Sequence, residues 1–361
     1  MRPTRILLSS RALRHNLAVA RDHAGGARIM AVVKADGYGH GLEWVAGVLE
    51  EAGSEAFGVA SIEEGVRLRD AGIRVPIFIF QGFFREDELR AAEALDLGLV
   101  LHRADQVRAV VRRPADAFPL SCFLKVDSGM HRLGVAPEAA PALARELAAA
   151  PQVRWYGLFS HMARADTPDD PYNGQQVAAL NDVRDGLPAG TGRSLANSAA
   201  LLALPGARME WVRPGLMLYG ASPFPEREGE AVGLQPVLRL ESELIAVQTL
   251  APGDWLGYGA AFQADRHTRV GVVPVGYGDG YPRHLGTGTP IRVNGVATRT
   301  LGRVCMDMLF VDLEPVPEAA EGAPVELMGP GVPAERLAGW AGTIPYEILC
   351  GLRSRIHRVT E

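Results

Sequence analysis

IMAVVKADGYGHGLEWVAGVLEEAGSEAFGVAS, residues 29–61, contains an apolar run of strand character, a glycine-rich turn, a segment of helical period and a second apolar run. That order is one βα unit and the start of the next. Strand-like runs recur at IMAVVKA (29–35), AFGVAS (56–61), PIFIFQG (76–82), LGLVLH (97–102), LSCFLKVD (120–127), YGLFSHM (156–162), RSLANS (193–198) and WVRPGLMLYG (211–220). Between them fall Ala/Leu/Arg/Glu-rich helical segments such as LEWVAGVLEEAG, IEEGVRLRDAG, EDELRAAEALD, AAPALARELAAA and GQQVAALNDVRDG. Eight parallel strands of this kind close naturally into a barrel, whereas an open doubly wound sheet usually has fewer strands and needs a switch point. The expected fold class is α/β, a (β/α)8 TIM-type barrel over residues 11–229. Lys34, Gln81, Lys125, His161, Ser198 and Arg213 lie at or just after the C-terminal ends of these runs, the face where barrel enzymes build their sites.

Beyond about residue 230 the texture changes to alternating segments, among them VLRLESELIAVQTL, RVGVVPVGYG and VCMDMLFVDL, broken by Pro/Gly turns. The Asn294-Gly295 pair between IRV and VATRT is a hairpin signal. A mostly antiparallel β domain is therefore expected over residues 230–361. The opening ILLSS is expected to add a strand to it from residues 1–10, because the first barrel strand does not begin until about residue 29.

With 361 residues, 47% of them hydrophobic, the chain is comfortable for two domains with full cores. A net charge of −5 offers no basic face for nucleic acid or an anionic membrane, so a small-molecule partner is expected. Cys122, Cys305 and Cys350 are odd in number and in no metal-ligand spacing. They read as buried free thiols in a reducing compartment, and no metal is expected. MRPTRILLSSRALRHNL lacks the long apolar region of a secretion signal, and no apolar run approaches ~18 residues, which points to a soluble cytoplasmic protein.

Lysine occurs only twice, at Lys34 and Lys125, among 37 Lys and Arg residues. A bias toward arginine replaces any lysine that merely supplies charge, but it spares positions that need a primary amine. Only an amine loses its proton, forms an imine or carries an acyl or carboxyl group. Lys34 sits in AVVKADGYGHG and Lys125 in LKVDSGMHRLG, each between an apolar run and a glycine-rich turn. A lysine in a barrel mouth can be desolvated and can link to an aldehyde, of which pyridoxal phosphate is the obvious one. Donors for its phosphate are available in Tyr38, Ser198 and the N–H groups of Gly215 and Leu216.

The segments AVVKADGYGHG, KVDSGMHRLG, SHMARAD, LANSAAL, RPGLMLYG, GYGAAF, VGYGDGYPR, GRVCMDM and IPYEILCGL together resemble the bacterial alanine racemases over nearly the whole chain. Departures are small: Asp36 and Gly37 stand where Asn and Ala are frequent, and Gly257 where Ser is common. The resemblance implies that Lys34 binds the cofactor and acts as one base, and that Tyr258 from the other subunit of a head-to-tail homodimer acts as the second. Removing a proton from one face of Cα and returning one to the other needs such a pair. An amine and a phenol both start near ~10, so both must be lowered. It further implies that Arg213 faces the cofactor's ring nitrogen, that His161 holds Arg213, and that Tyr346 adds a phosphate hydroxyl. Arg132 is placed at the cofactor's phenolic oxygen and the substrate carboxylate, Met306 at that carboxylate through its backbone, and Tyr277 at the entrance. Lys125 is the candidate for carbamylation beside Arg132. The activity implied is interconversion of L- and D-alanine, supplying D-alanine for peptidoglycan. Alternatives are a broad-specificity or serine racemase, a basic-amino-acid decarboxylase on the same barrel, and a non-catalytic pyridoxal phosphate-binding barrel that handles cofactor supply.

Overall fold

The computed structural model describes residues 2–185 and 187–361, so Met1 and Gly186, the last residue of GQQVAALNDVRDG, lie outside the described residues. The chain divides into two compact units. One comprises Leu17–Gly37 and Gly41–Leu218, the other Met1–Asn16, Tyr38–His40 and Tyr219–Glu361.

In chain order β1 is Arg5–Leu8, and the next eight strands are β2 Arg28–Val32, β3 Ala56–Val59, β4 Ile77–Ile79, β5 Leu97–Leu101, β6 Leu120–Lys125, β7 Val153–Phe159, β8 Gly192–Ser194 and β9 Trp211–Val212. Strands β2 to β9 form a closed parallel barrel in sequential order. Seven of its eight strands, all but β8, send a side chain into one buried cluster of Met30, Ala56, Phe78, Val100, Phe123, Phe159 and Trp211, and Tyr156 packs against it. Phe78 and Phe123 meet edge to face at 5.0 Å. Such a layer makes the barrel a packed core with no pore, so chemistry is confined to its rim.

Several strands end earlier than their apolar runs. RSLANS stops at Ser194 because Asn197 caps a helix, Ser198–Ala203, by accepting the Ala200 N–H at 3.0 Å. WVRPGLMLYG yields only two strand residues, since Pro214 has no N–H for the ladder, and Leu216–Tyr219 turn into a 3-10 helix. YGLFSHM starts too late, because β7 begins at Val153 and bulges opposite Cys122/Phe123. A further helix spans Ser10–Ala24, and Ser9 caps it by accepting the Ala12 N–H.

The second unit is a nine-stranded sheet built from β1 and from β10 Leu238–Glu243, β11 Ala246–Leu250, β14 Thr268–Val273, β15 Pro290–Val293, β16 Val296–Leu301, β17 Leu309–Asp312, β18 Pro324–Met328 and β19 His357–Thr360. Its order is β11-β14-β17-β16-β15-β18-β10-β1-β19, and a separate ribbon pairs β12 Trp255–Leu256 with β13 Phe262–Gln263. ILLSS supplies β1, antiparallel to β10 and parallel to β19. Asn294 and Gly295 turn β15 into β16 with φ of 51° and 76°, the pair of positive angles a type I′ turn requires.

The cysteines correct one expectation. Cys122 is buried in β6, but Cys305 is half-buried in a loop before β17 and Cys350 is exposed on the helix Pro345–Gly351. No helix among the described residues is long and apolar enough to cross a membrane.

Candidate active site

Strand β2 ends at Val32, and the chain then makes a left-handed turn through Ala35, Asp36 and Gly37 at φ of 55°, 53° and 60°. Two of these residues carry a Cβ, and each such residue costs ~1–2 kcal/mol in this region. The turn is held by what surrounds it. Glu64 accepts the Ala35 N–H at 2.7 Å, Asp36 accepts the Leu42 N–H at 3.2 Å, and Arg67 pairs with Asp36 at 2.9 Å. Lys34 is thereby fixed, half-buried, at the rim.

Arg213, one residue beyond β9, is 2% exposed. One terminal nitrogen donates to Ser194 Oγ at 2.6 Å; the other donates to Ser160 O at 2.6 Å and Leu195 O at 3.2 Å and lies 3.2 Å from His161 Nδ1. Its Cζ sits 3.9 Å from the centroid of the Phe159 ring. No carboxylate pairs with it among the described residues, and Nε has no acceptor among them. Burial pushes the guanidinium down to about 9, so it remains a cation at neutral pH. Burial and then the charge of Arg213 hold His161 well below the usual histidine range. The neutral ring can therefore accept from Arg213.

Lys125 closes β6 and is 7% exposed, with Nζ 5.9 Å from the same Phe159 ring. Burial first, then Arg213, Arg132 and Lys34, bring its amine down to about 8. Those three cations and Lys125 itself all act on His161. Arg132 itself is exposed on the segment after β6. That segment is clasped at its base by Asp127 N–H to Val135 O and Val135 N–H to Lys125 O, each 2.9 Å, and internally by Asp127, which accepts from His131 and Gly129. Ser198 Oγ accepts the N–H of Gly215 at 2.9 Å and of Met217 at 3.3 Å, which ties the turn after Arg213 to the start of the helix Ser198–Ala203. Leu216 is fully buried. Gln81 is exposed, and its carbonyl meets His102 Nε2 at 3.0 Å.

The remaining expected residues lie in the second unit. Tyr38 is buried, stacked on Tyr219 at 4.6 Å and 6.0 Å from the ring of Tyr346. Burial, then Tyr346 and Cys350, push its hydroxyl far above the usual tyrosine range, leaving a neutral O–H donor. Tyr258 is 72% exposed in the turn between β12 and β13. Gly257 before it has φ 67°, and a Cβ there would come 2.9 Å from Phe310, which accounts for glycine at this position. Tyr277 and Met306 are joined through the backbone: Tyr277 N–H donates to Cys305 O at 3.0 Å and Gly278 N–H to Met306 O at 2.8 Å.

Ser160, Ser194 and Phe159, which fix Arg213, were missed by sequence reasoning. Their only signal is a small polar or aromatic residue in an apolar run. Among the described residues no group of three or more His, Cys, Asp or Glu side chains could hold a metal. A cavity of about 680 Å³ lined by Arg11, His15, Arg239 and Glu335 contains none of the expected site residues.

A closed parallel barrel whose mouth gathers two amines and two guanidiniums around a neutral histidine defines a barrel enzyme with a cationic site. Comparison with known proteins sharpens this. The alanine racemase N-terminal domain model matches residues 8–223 and the C-terminal domain model residues 237–360. Alanine racemase from Acidithiobacillus ferrooxidans is 54% identical over 99% of this chain and 98% of its own, and a catabolic alanine racemase from Pseudomonas putida is 47% identical over 98% of each. Among solved structures, biosynthetic alanine racemase from Pseudomonas aeruginosa superposes with a TM-score of 0.95 at 41% identity, covering all of both chains. The Bartonella henselae alanine racemase, solved with covalently bound pyridoxal phosphate, gives 0.90 at 26%, also covering all of both chains. The chain belongs to the alanine racemase family and is an amino-acid racemase. The match to the C-terminal model removes the reading as a barrel-only cofactor carrier.

Proposed function

We propose that the protein interconverts L- and D-alanine with pyridoxal 5′-phosphate, as a cytoplasmic head-to-tail homodimer. The observation that carries this is Arg213: a buried guanidinium with carbonyl, hydroxyl and imidazole partners and no carboxylate. Its unpaired Nε suits a ring nitrogen that stays unprotonated, and a decarboxylase would be expected to place a carboxylate there. The excess of cations at the barrel mouth suits a phosphate and a substrate carboxylate. Lys34 would hold the cofactor's aldehyde. Tyr38, Ser198, Gly215, Leu216 and Tyr346 would serve its phosphate, and Arg132 its phenolic oxygen. When bound, the cofactor supplies an electron sink that acidifies the alanine Cα–H.

The chain's own groups do the rest. Lys34 Nζ moves the proton at one face of Cα, and Tyr258 of the partner subunit moves it at the other. The exposure of Tyr258 supports its use by a second copy. His161 keeps Arg213 in place without competing for charge, because its ring is neutral. The Met306 backbone and Arg132 hold the substrate carboxylate, and Tyr277 narrows the entrance. Lys125, brought down to about 8, is reactive enough to add carbon dioxide and release a proton, giving an anion that orients Arg132.

Tyr258→Phe tests the two-base assignment. Racemisation should fall by at least ~100-fold in both directions while Cα–H exchange persists from one enantiomer. Full racemisation from both would rule the assignment out. D-Alanine supply for peptidoglycan is the proposed role, favoured by the likeness to the biosynthetic P. aeruginosa enzyme. Likeness to a catabolic relative gives the second reading, L-alanine supply from D-alanine. Deletion of the gene separates them, since only the first predicts a D-alanine requirement for growth.

A further inference from the structure

Asp279 is a fully buried carboxylate in the second unit. Arg2 donates to both its oxygens at 2.7 and 3.1 Å, Arg355 Nε lies 2.7 Å from Oδ1, and the Gly276 N–H donates to Oδ2 at 3.0 Å. Burying a carboxylate strips its hydration, and these guanidinium and N–H partners replace it. Arg355 then reaches onward: its terminal nitrogen donates at 2.6 Å to Asp307, the residue after Met306. The backbones of residues 276–278 and 305–306 are in close contact as well. A Cβ on Gly276 would lie 2.3 Å from the carbonyl oxygens of both Cys305 and Met306. Residues 2, 276–279, 305–307 and 355 are thus one body, tied by a carboxylate–guanidinium–carboxylate chain.

We propose that Asp279, Arg355 and Asp307 are positioning residues that hold the Met306 backbone and Tyr277 in the arrangement that receives the substrate carboxylate. This rests on the carboxylate role proposed above for Met306. Alanine has only a methyl side chain, so its binding leans on its carboxylate and amine. An amide displaced by a fraction of an ångström weakens the hydrogen bond on which recognition depends. The chain of charges acts on substrate binding, and the proton transfers at Lys34 and Tyr258 are left to other groups.

Asp307→Asn is the informative variant, because it takes the charge out of the link to Met306 at a half-exposed side chain, roughly halving its strength, and leaves the buried Asp279 pairs intact. In the cofactor-loaded enzyme, KM for both alanine enantiomers and the inhibition constant of propionate should rise roughly tenfold, with kcat within about twofold of wild type. Thermal midpoint and cofactor absorbance should stay at wild-type values. Arg355→Met should repeat the effect and Arg355→Lys should restore part of it. Unchanged KM and propionate inhibition, or a joint fall of kcat, thermal midpoint and cofactor content, would overturn the proposal. Hydrogen exchange of the peptide spanning residues 301–309 provides an arm independent of catalysis. It should quicken in Asp307→Asn, and unchanged exchange would also overturn the proposal. Absence of racemisation in the wild type would instead indict the functional reading, and the exchange arm would still decide whether the chain of charges orders Met306.

Discussion

Lys125→Met distinguishes two charge states of the barrel mouth. As a bare amine, Lys125 is buried among Arg213, Arg132 and Lys34, and is brought from 10.5 to about 8. At about 1.4 kcal/mol per decade, the folded chain carries a cost of roughly 3 kcal/mol for keeping this amine protonated at pH 7. Between pH 8 and 10.5 the unfolded chain binds a proton here that the folded chain does not, so stability rises with pH across that window. Methionine fills nearly the same volume without charge. A bare amine therefore predicts that Lys125→Met stabilises at pH 7 by up to about 3 kcal/mol, an advantage that fades above pH 8. A carbamate reverses the sign, because an anion among three cations is lost and the substitution destabilises by about 1–3 kcal/mol. Urea denaturation of both proteins at pH 7 and 9.5, in carbon dioxide-free and bicarbonate buffers, separates the cases. Native mass spectrometry of each reports the added carboxyl group directly. The proposed modification requires bicarbonate to raise the wild-type midpoint and leave the variant unmoved. An unmodified wild-type mass in bicarbonate, with the variant more stable in both buffers, would refute it.

Arg213→Met should leave Ser160 O and Leu195 O buried without a donor but also remove a buried charge, so the opposing effects should leave the urea midpoint little changed while bound cofactor is lost on dialysis. His161 is held well below 6.5, so below that pH the unfolded chain binds a proton the folded chain does not, and stability should fall as pH drops from 6.5. His161→Gln should flatten that acid limb in denaturation curves at pH 7 and 5.5. Asn197→Ala removes the cap of the short helix carrying Ser198. It should cost about 1 kcal/mol in thermal or urea unfolding and weaken cofactor retention on dialysis, while an unchanged midpoint would show the cap to be idle.

The barrel was legible because every strand but β8, which is Gly-Arg-Ser, lies in an apolar run and helical period recurs between them, so the eight-fold alternation survives errors at the boundaries. The boundaries were illegible where a single residue overrides the run: Asn197 by capping, Pro214 by removing a donor. The Asn294-Gly295 turn was readable because its chemistry demands positive φ at both positions. The left-handed turn after Lys34 was not, since Ala35 and Asp36 carry no local signal for it and adopt it through contacts with Glu64, Leu42 and Arg67. Lys34 and Lys125 stood out through the scarcity of lysine, and Arg213 through its motif. What fixes Arg213 stayed hidden, because Ser160 and Ser194 come together with it only when β7, β8 and β9 align. The arginine–aspartate chain around Asp279 joins residues 2, 279, 307 and 355, a pairing that no local pattern announces.

Incubating the purified, cofactor-loaded protein with L-alanine in deuterated water tests the central claim most directly. Chiral chromatography and proton NMR should show D-alanine accumulating toward an equal mixture, the equilibrium that mirror-image molecules must reach, with deuterium at Cα of the product. L-Alanine that keeps its Cα–H and its configuration while pyridoxal phosphate is bound would contradict the account.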